Sequence, residues 1–228
     1  VSPLLKRAFM ALEDGEFDRA DEFCEQVLNQ DPENAQAYLG KLMAAMRINK
    51  KEQLKDCKEP FDSHPQYRKV IRFADEKLKA EMLGFIEYIN NRNKNAKLEA
   101  EYQKIVKEMH IATTFEQYDA VALRFAKMGD YKDSCKLGEH CKMMSLSIKY
   151  DTYIKEMHLS NTPYDYNKVG EHFKQLGDYR DSKEKSKECI EKALLLRYNY
   201  LLEQMEKAST EYQYQNVANG FDEIIHYK

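Results

Sequence analysis

Histidine, cysteine, aspartate and serine are the residue types through which this chain could do chemistry, and their spacing decides whether it does. Six histidines stand at 64, 110, 140, 158, 172 and 226. No HExxH occurs, so the zinc-protease arrangement of two imidazoles on one helix face is not offered. Glu139–His140 and Glu171–His172 are sequence neighbours, and on a helix adjacent side chains point apart. His110 and His158 recur at one offset, each after a Met at the expected end of a long helix. There an imidazole serves capping or packing, and its charge favours the helix C-terminus. Five cysteines, at 24, 57, 135, 141 and 189, form no CxxC, and their number is odd. Asp130 with Asp133, and Asp178 with Asp181, bring too few oxygens together for calcium and read as turn and cap residues. Ser134 and Ser182 follow those aspartates at helix starts, where capping explains them. The glycines are scattered singly and make no phosphate loop or GxSxG elbow. No catalytic residue, metal ligand or cofactor is expected.

What positions these residues is a repeat. FAKMGDYKDS, from Phe125 to Ser134, returns as FKQLGDYRDS from Phe173 to Ser182, and in part as FDEIIHYK from Phe221 to Lys228. The offset is 48 both times, and it also governs Tyr102, Tyr150 and Tyr198, then Met109, Met157 and Met205, then Thr114, Thr162 and Thr210. Self-similarity of this period marks stacked supersecondary units. Phe125, Gly129, Tyr131 and Asp133, with Phe173, Gly177, Tyr179 and Asp181, are therefore structural repeat residues. Each unit opens with a short helix capped by Thr114, Thr162 or Thr210. Its buried stripe is Tyr118, Ala122 and Phe125, matched by Tyr166, Gly170 and Phe173. Gly129 and Gly177 end the short helix, and Asp133 and Asp181 cap a long one reaching Met157 and Met205. Cys141 and Cys189 share a column, which assigns them to packing.

Ahead of the repeats, Leu4, Leu5, Ala8, Phe9, Ala11 and Leu12 form an apolar stripe at helical spacing. Gly15 closes that helix, because a left-handed residue is cheap only for glycine. Phe17, Ala20, Phe23, Cys24, Val27 and Leu28 mark a second helix, stopped at Asp31–Pro32. With a small residue at 8, Gly15, Phe17, Ala20, an aromatic near 24 and Pro32, residues 1–34 resemble a tetratricopeptide repeat. Leu4 and Arg7 depart from that pattern. A second repeat begins at Ala35 with Tyr38, Leu39, Leu42, Met43, Ala45 and Met46, but degenerates after Lys50–Lys51. Pro65 opens a short helix to Ala74. Asp75 caps the next, which runs as one helix of roughly 55 Å to residue 111 or bends at the run from Asn90 to Asn95; the single helix is the reading taken.

The GDYKDS turn is similar to turns in bacterial helical-repeat proteins of the tetratricopeptide class. The whole arrangement resembles a Firmicutes family often fused to an N-terminal zinc ribbon, whose cysteines this chain lacks. The expected fold is all-α. It is an α-solenoid of antiparallel helix pairs, with tetratricopeptide-like hairpins over 1–74 and long-helix repeats over 75–228 (102–149, 150–197 and a partial 198–228). The family alignment puts Leu5, Phe9, Leu12, Leu39, Met43 and Met46 on the concave side. All six are apolar, which implies a groove for a peptide or partner helix, with methionine supplying adaptability. The expected function is a non-catalytic protein-binding scaffold. The alternative is a rigid spacer or assembly element of a larger, membrane-tethered protein, with the groove side chains covered by the chain's own next helices.

Composition bounds the rest. Of 228 residues 33% are charged, with 8 Gly, 5 Pro, 16 Tyr and no Trp, which favours helix over sheet. A formal charge of −3 removes the electrostatic footprint of a general nucleic-acid binder. No apolar run approaches the ~20 residues of a membrane span, and free thiols imply a reducing, cytoplasmic setting. Val1 at the start, and a third copy stopping before its expected Asp-Ser, read as part of a longer protein.

Overall fold

The structure is a computed structural model and describes residues 3–225. His226, Tyr227 and Lys228, the end of the third repeat copy, lie outside the described residues. Among the described residues every regular element is a helix. In chain order they are α1 (Pro3–Glu13), α2 (Phe17–Leu28), α3 (Ala35–Met46), a 3-10 turn (Lys51–Asp56), α4 (Pro65–Phe73), α5 (Glu76–Ile111), α6 (Phe115–Met128), α7 (Ser134–Leu159), α8 (Pro163–Gln175), α9 (Ser182–Lys207) and α10 (Glu211–Ile225). Contacts divide the chain into two compact units, 1–101 and 102–228.

In the first unit α1 packs on α2, α2 on α3 and α3 on α4, and α1 also touches α3. Gly15 adopts φ 79° and lets the chain reverse between α1 and α2. Ala20 and Gly40 are small because the helices approach closely: a Cβ at Gly40 would collide with Cys24 Sγ. Lys41 ties the same pair from its rim, donating to Asp21 and Glu25 at 2.8 Å each. Pro65 occupies the first turn of α4 as the sequence implies, and His64 Nδ1 accepts the Gln66 N–H. Asp75 accepts the Leu78 N–H at 2.8 Å and starts α5.

The asparagine run does not break α5, which is one helix of 36 residues. Two of its polar side chains, Arg92 and Asn93, have partners outside the helix. The Arg92 guanidinium donates to the carbonyls of Lys55, Cys57 and Lys58, and Asn93 to that of Lys58 at 2.8 Å. The run is polar because it collects the loose carbonyls of the loop after the 3-10 turn. The first half of α5 gives Leu78, Met82, Ile86 and Ile89 to the core of the first unit, and Tyr102 and Ile105 belong to the core of the second. The division at 101/102 therefore falls inside α5, whereas the sequence places a boundary at 74/75, where the helix begins.

In the second unit α6 packs on α7 and α8 on α9, with α7 against α8 and α9 against α10. The threonine caps form as expected. Gln117 N–H donates to Thr114 Oγ1, Asp165 N–H to Thr162 Oγ1 at 3.1 Å, and Gln213 N–H to Thr210 Oγ1 at 3.3 Å. Phe125 and Phe173 are both 0% exposed, in clusters of matching composition: Tyr102, Tyr118, Val121, Tyr131 and Cys141 around the first, Tyr150, Tyr166, Val169, Tyr179 and Cys189 around the second. The two helix crossings are close for the same reason. A Cβ added at Gly138 would lie 3.3 Å from the Phe125 Cβ and 3.7 Å from the Ala122 carbonyl oxygen, and one added at Gly170 would lie 3.2 Å from the Cys189 Cβ and 3.4 Å from the Ser186 carbonyl oxygen. One residue of each crossing is glycine, and the glycine changes sides between copies.

Candidate functional site

The GDY(K/R)DS turns are built alike. Each needs two left-handed residues, Gly129 (φ 57°) with Lys132 (φ 50°), and Gly177 (φ 62°) with Arg180 (φ 49°). Glycine takes that region without strain, but a lysine or arginine there costs on the order of 1 kcal/mol and persists only if held. The holding contacts are visible. Lys132 Nζ sits 4.9 Å from the Tyr102 ring and 5.7 Å from that of Tyr131, and Arg180 Cζ sits 4.7 Å from Tyr150 and 5.2 Å from Tyr179. The rings pack edge to face, Tyr102 on Phe125 at 6.3 Å and Tyr150 on Phe173 at 5.8 Å.

The aspartates correct the expectation placed on them. Neither Asp133 nor Asp181 makes a side-chain cap bond to its helix. Instead Tyr102 donates its hydroxyl to Asp133 Oδ1, and Tyr150 donates to Asp181 Oδ1 at 2.5 Å. That bond, then partial burial, holds the Tyr150 phenol above its ordinary 10.0. Ser134 and Ser182 are fully buried beneath the turn rather than capping, with Ser182 Oγ donating to the Tyr179 carbonyl at 2.5 Å.

The histidine that matters is one the sequence gives no local sign of. His172 Nδ1 lies 3.1 Å from Glu156 Oε2, and its ring is 4.7 Å from that of Tyr153. One repeat earlier the same columns hold Arg124 and Glu108, which form an ion pair. The signal was available: an acidic residue and a basic one 16 positions later, Glu108 with Arg124 and Glu156 with His172, recur on the 48-residue offset. His110 and His158 lie exposed in the last turns of α5 and α7, so they sit at helix C-termini but are not packed.

All five cysteines are free thiols. Cys24 is fully buried, and burial, reinforced by Asp21, pushes its thiol up to about 12. Burial likewise raises Cys141 and Cys189, as their packing role implies. Among the described residues no group of three or more His, Cys, Asp or Glu is arranged to hold a metal ion, and no helix is long and apolar enough to cross a membrane.

The six groove residues are not an open row. Leu12, Leu39 and Met43 are buried in one core with Phe61, Tyr67, Val70, Leu78 and Met82, and Met43 is 1% exposed. Leu5 is buried in a second cluster, with Ala8, Cys24 and Val27. Only Phe9 and Met46 are half-buried. The chain's own residues 61–82 cover most of the expected groove, because α4 and the start of α5 present an apolar face at the same place. What stays open is a hollow of about 490 Å³ lined by Leu5, Lys6, Phe9, Met10 and Gln36, where Met10 is 62% exposed. A second hollow, of about 540 Å³, lies between α8, α9 and α10, with Tyr164, Ile190, Leu194 and Ile224 on its walls and the Arg197–Glu223 pair beside them. No family model, curated protein or solved structure matches this chain.

Proposed function

We propose that the chain is a helical-repeat solenoid with a tetratricopeptide-like start, related to the Firmicutes-type repeat proteins, and that it is a non-catalytic scaffold for a peptide or partner helix. The observation that carries this reading is the apolar hollow at Leu5, Phe9, Met10 and Gln36. There Met10 is largely exposed beside a half-buried phenylalanine, at the edge of a well-packed hairpin. A flexible thioether beside a ring is a surface that adapts to an incoming side chain. The repeated polar side chains support it from the other direction. Tyr102–Asp133, Tyr150–Asp181 and Glu156–His172 tie one helix to another.

The second reading is a spacer or assembly element. It is favoured by the burial of Leu12, Leu39 and Met43 under the chain's own helices and by the length of α5. An affinity pull-down with this chain as bait separates the two. Under the scaffold reading, one partner is enriched and is lost with Met10→Asp and with Phe9→Asp, while the circular dichroism of Met10→Asp stays native. Enrichment indifferent to both substitutions, or none, leaves the spacer.

A further inference from the structure

The joint between the second half of a long helix and the short helix after it occurs three times, and its three versions differ in charge. The positions stand on the 48-residue offset: Ile105, Glu108 and Arg124 in the first copy, Tyr153, Glu156 and His172 in the second, Leu201, Gln204 and Gly220 in the third. In the first, Arg124 and Glu108 form an ion pair, and Ile105, one turn earlier on α5, is fully buried. A guanidinium keeps its charge at any pH a protein tolerates. In the third, Gln204 and Gly220 bring no charge, and Leu201 takes up the space: a Cβ at Gly220 would lie 2.6 Å from Leu201 Cδ2. Only the second joint is closed by a side chain whose charge changes near neutral pH.

That joint is shaped around the histidine. His172 Nδ1 lies 3.1 Å from Glu156 Oε2, and its ring meets that of Tyr153 with centroids 4.7 Å apart and planes inclined at 31°. Tyr153 and Glu156 stand three apart on α7 and so share a face. Together they clip one imidazole. Tyr153 is itself braced edge to face on Phe173, at 5.9 Å. Burial holds the Tyr153 phenol above its ordinary 10.0, so this ring stays neutral where histidine titrates. The other charges on the surrounding helices are committed elsewhere. Lys149 of α7 pairs with Asp119 at 2.7 Å, and Glu171 and Lys174 of α8 pair with each other at 3.3 Å. On α9, the other helix packed on α8, Lys185 and Lys192 each close on Glu188 at 2.8 Å. Among the described residues Glu156 is the one charged group bonded to His172.

We infer that the α7·α8 joint, through Glu156, His172 and Tyr153, is a pH-sensitive link in an array whose corresponding joints do not respond near neutrality. Protonated, the ring pairs with the Glu156 carboxylate and lays a cation on the Tyr153 face. Neutral, it keeps the ring contact and a single hydrogen bond but loses the charge. A carboxylate favours the charged imidazole, so the tie adds to stability on the acid side of the histidine range. That contribution is withdrawn as pH rises through the range. The effect is modest, because both groups are partly solvated. It is also local, bearing on how firmly α8 is held to the end of α7. None of this depends on whether the chain is a scaffold or a spacer.

The test is hydrogen exchange of the α8 amides in the 228-residue chain, at about pH 5 and about pH 8, the edges of the histidine range. Wild type, Glu156→Gln, His172→Gln and the double variant form a cycle at each pH. The cycle cancels the intrinsic pH dependence of exchange and the titration of the other histidines. The expected coupling is a gain in α8 protection of about two- to fivefold at about pH 5, and none at about pH 8. With His172→Arg, coupling to Glu156 is expected to be the same at both pH values, as the Glu108–Arg124 pair implies. Wild-type coupling that is equal at the two pH values, or absent at both, overturns the inference. So does a pH dependence of the coupling that survives His172→Arg.

Discussion

Side chains that repeat on the 48-residue offset do the same physical work in the first two copies, so their substitutions there have comparable effects. Phe125 and Phe173 are both fully buried in like surroundings. Truncation to alanine is expected to cost about 3–5 kcal/mol at each. Phe221, half-buried, loses much less on the same change. Denaturant unfolding of the three variants checks the order, and unequal costs at 125 and 173 would break the equivalence. Charge supplies a pH-dependent case. Hydrogen bonds from Lys185 and Lys192 hold the Glu188 carboxyl down to about 2, from an ordinary 4.5. A depressed carboxylate stabilises the fold above its unfolded value, and that contribution is lost as pH falls from 4.5 toward 2. Glu188→Gln is therefore expected to flatten the acid limb of stability against pH over that window, with no change in shape above pH 5. The effect is small, because the pair is partly solvated.

Helices here are positioned by what fits between them more than by their own propensity. The α2·α3 crossing depends on a missing Cβ: Gly40 lies against Cys24 Sγ. Gly40→Ala is expected to destabilise by about 1–3 kcal/mol through overpacking, and Cys24→Ala to recover much of that loss. A double-mutant cycle by thermal or urea melting measures the coupling, and additive effects would show that the crossing relaxes by another route. The helix ends were legible one by one. Pro65, Gly15 and the three threonines act as their local chemistry implies, since capping is decided within four residues. The aspartates after each tyrosine turn were misread for the complementary reason. An aspartate at a helix start looks like a cap, and nothing local announces a tyrosine hydroxyl about 31 positions earlier that arrives first.

At the scale of the whole molecule, two bodies of contacts share one helix. Each core is complete within its own part: Leu12, Leu42, Met82 and Ile89 before residue 101, and Ile105, Phe125, Met157 and Phe173 after it. A fragment of residues 1–101 is therefore expected to keep its helical signal and unfold cooperatively. A fragment that is unfolded in isolation would show that its core is not self-sufficient. Helix content, the repeat offset, the short and long helices of each copy and most caps followed from the chain alone, because periodicity and capping depend on neighbours a few residues away. The fate of the apolar side chains did not. Periodicity puts Met43 and Phe9 alike on an apolar stripe. Only the folded arrangement decides that Met43 is buried with Tyr67 and Met82 while Phe9 stays half-buried, because burial depends on which distant surface comes to rest there.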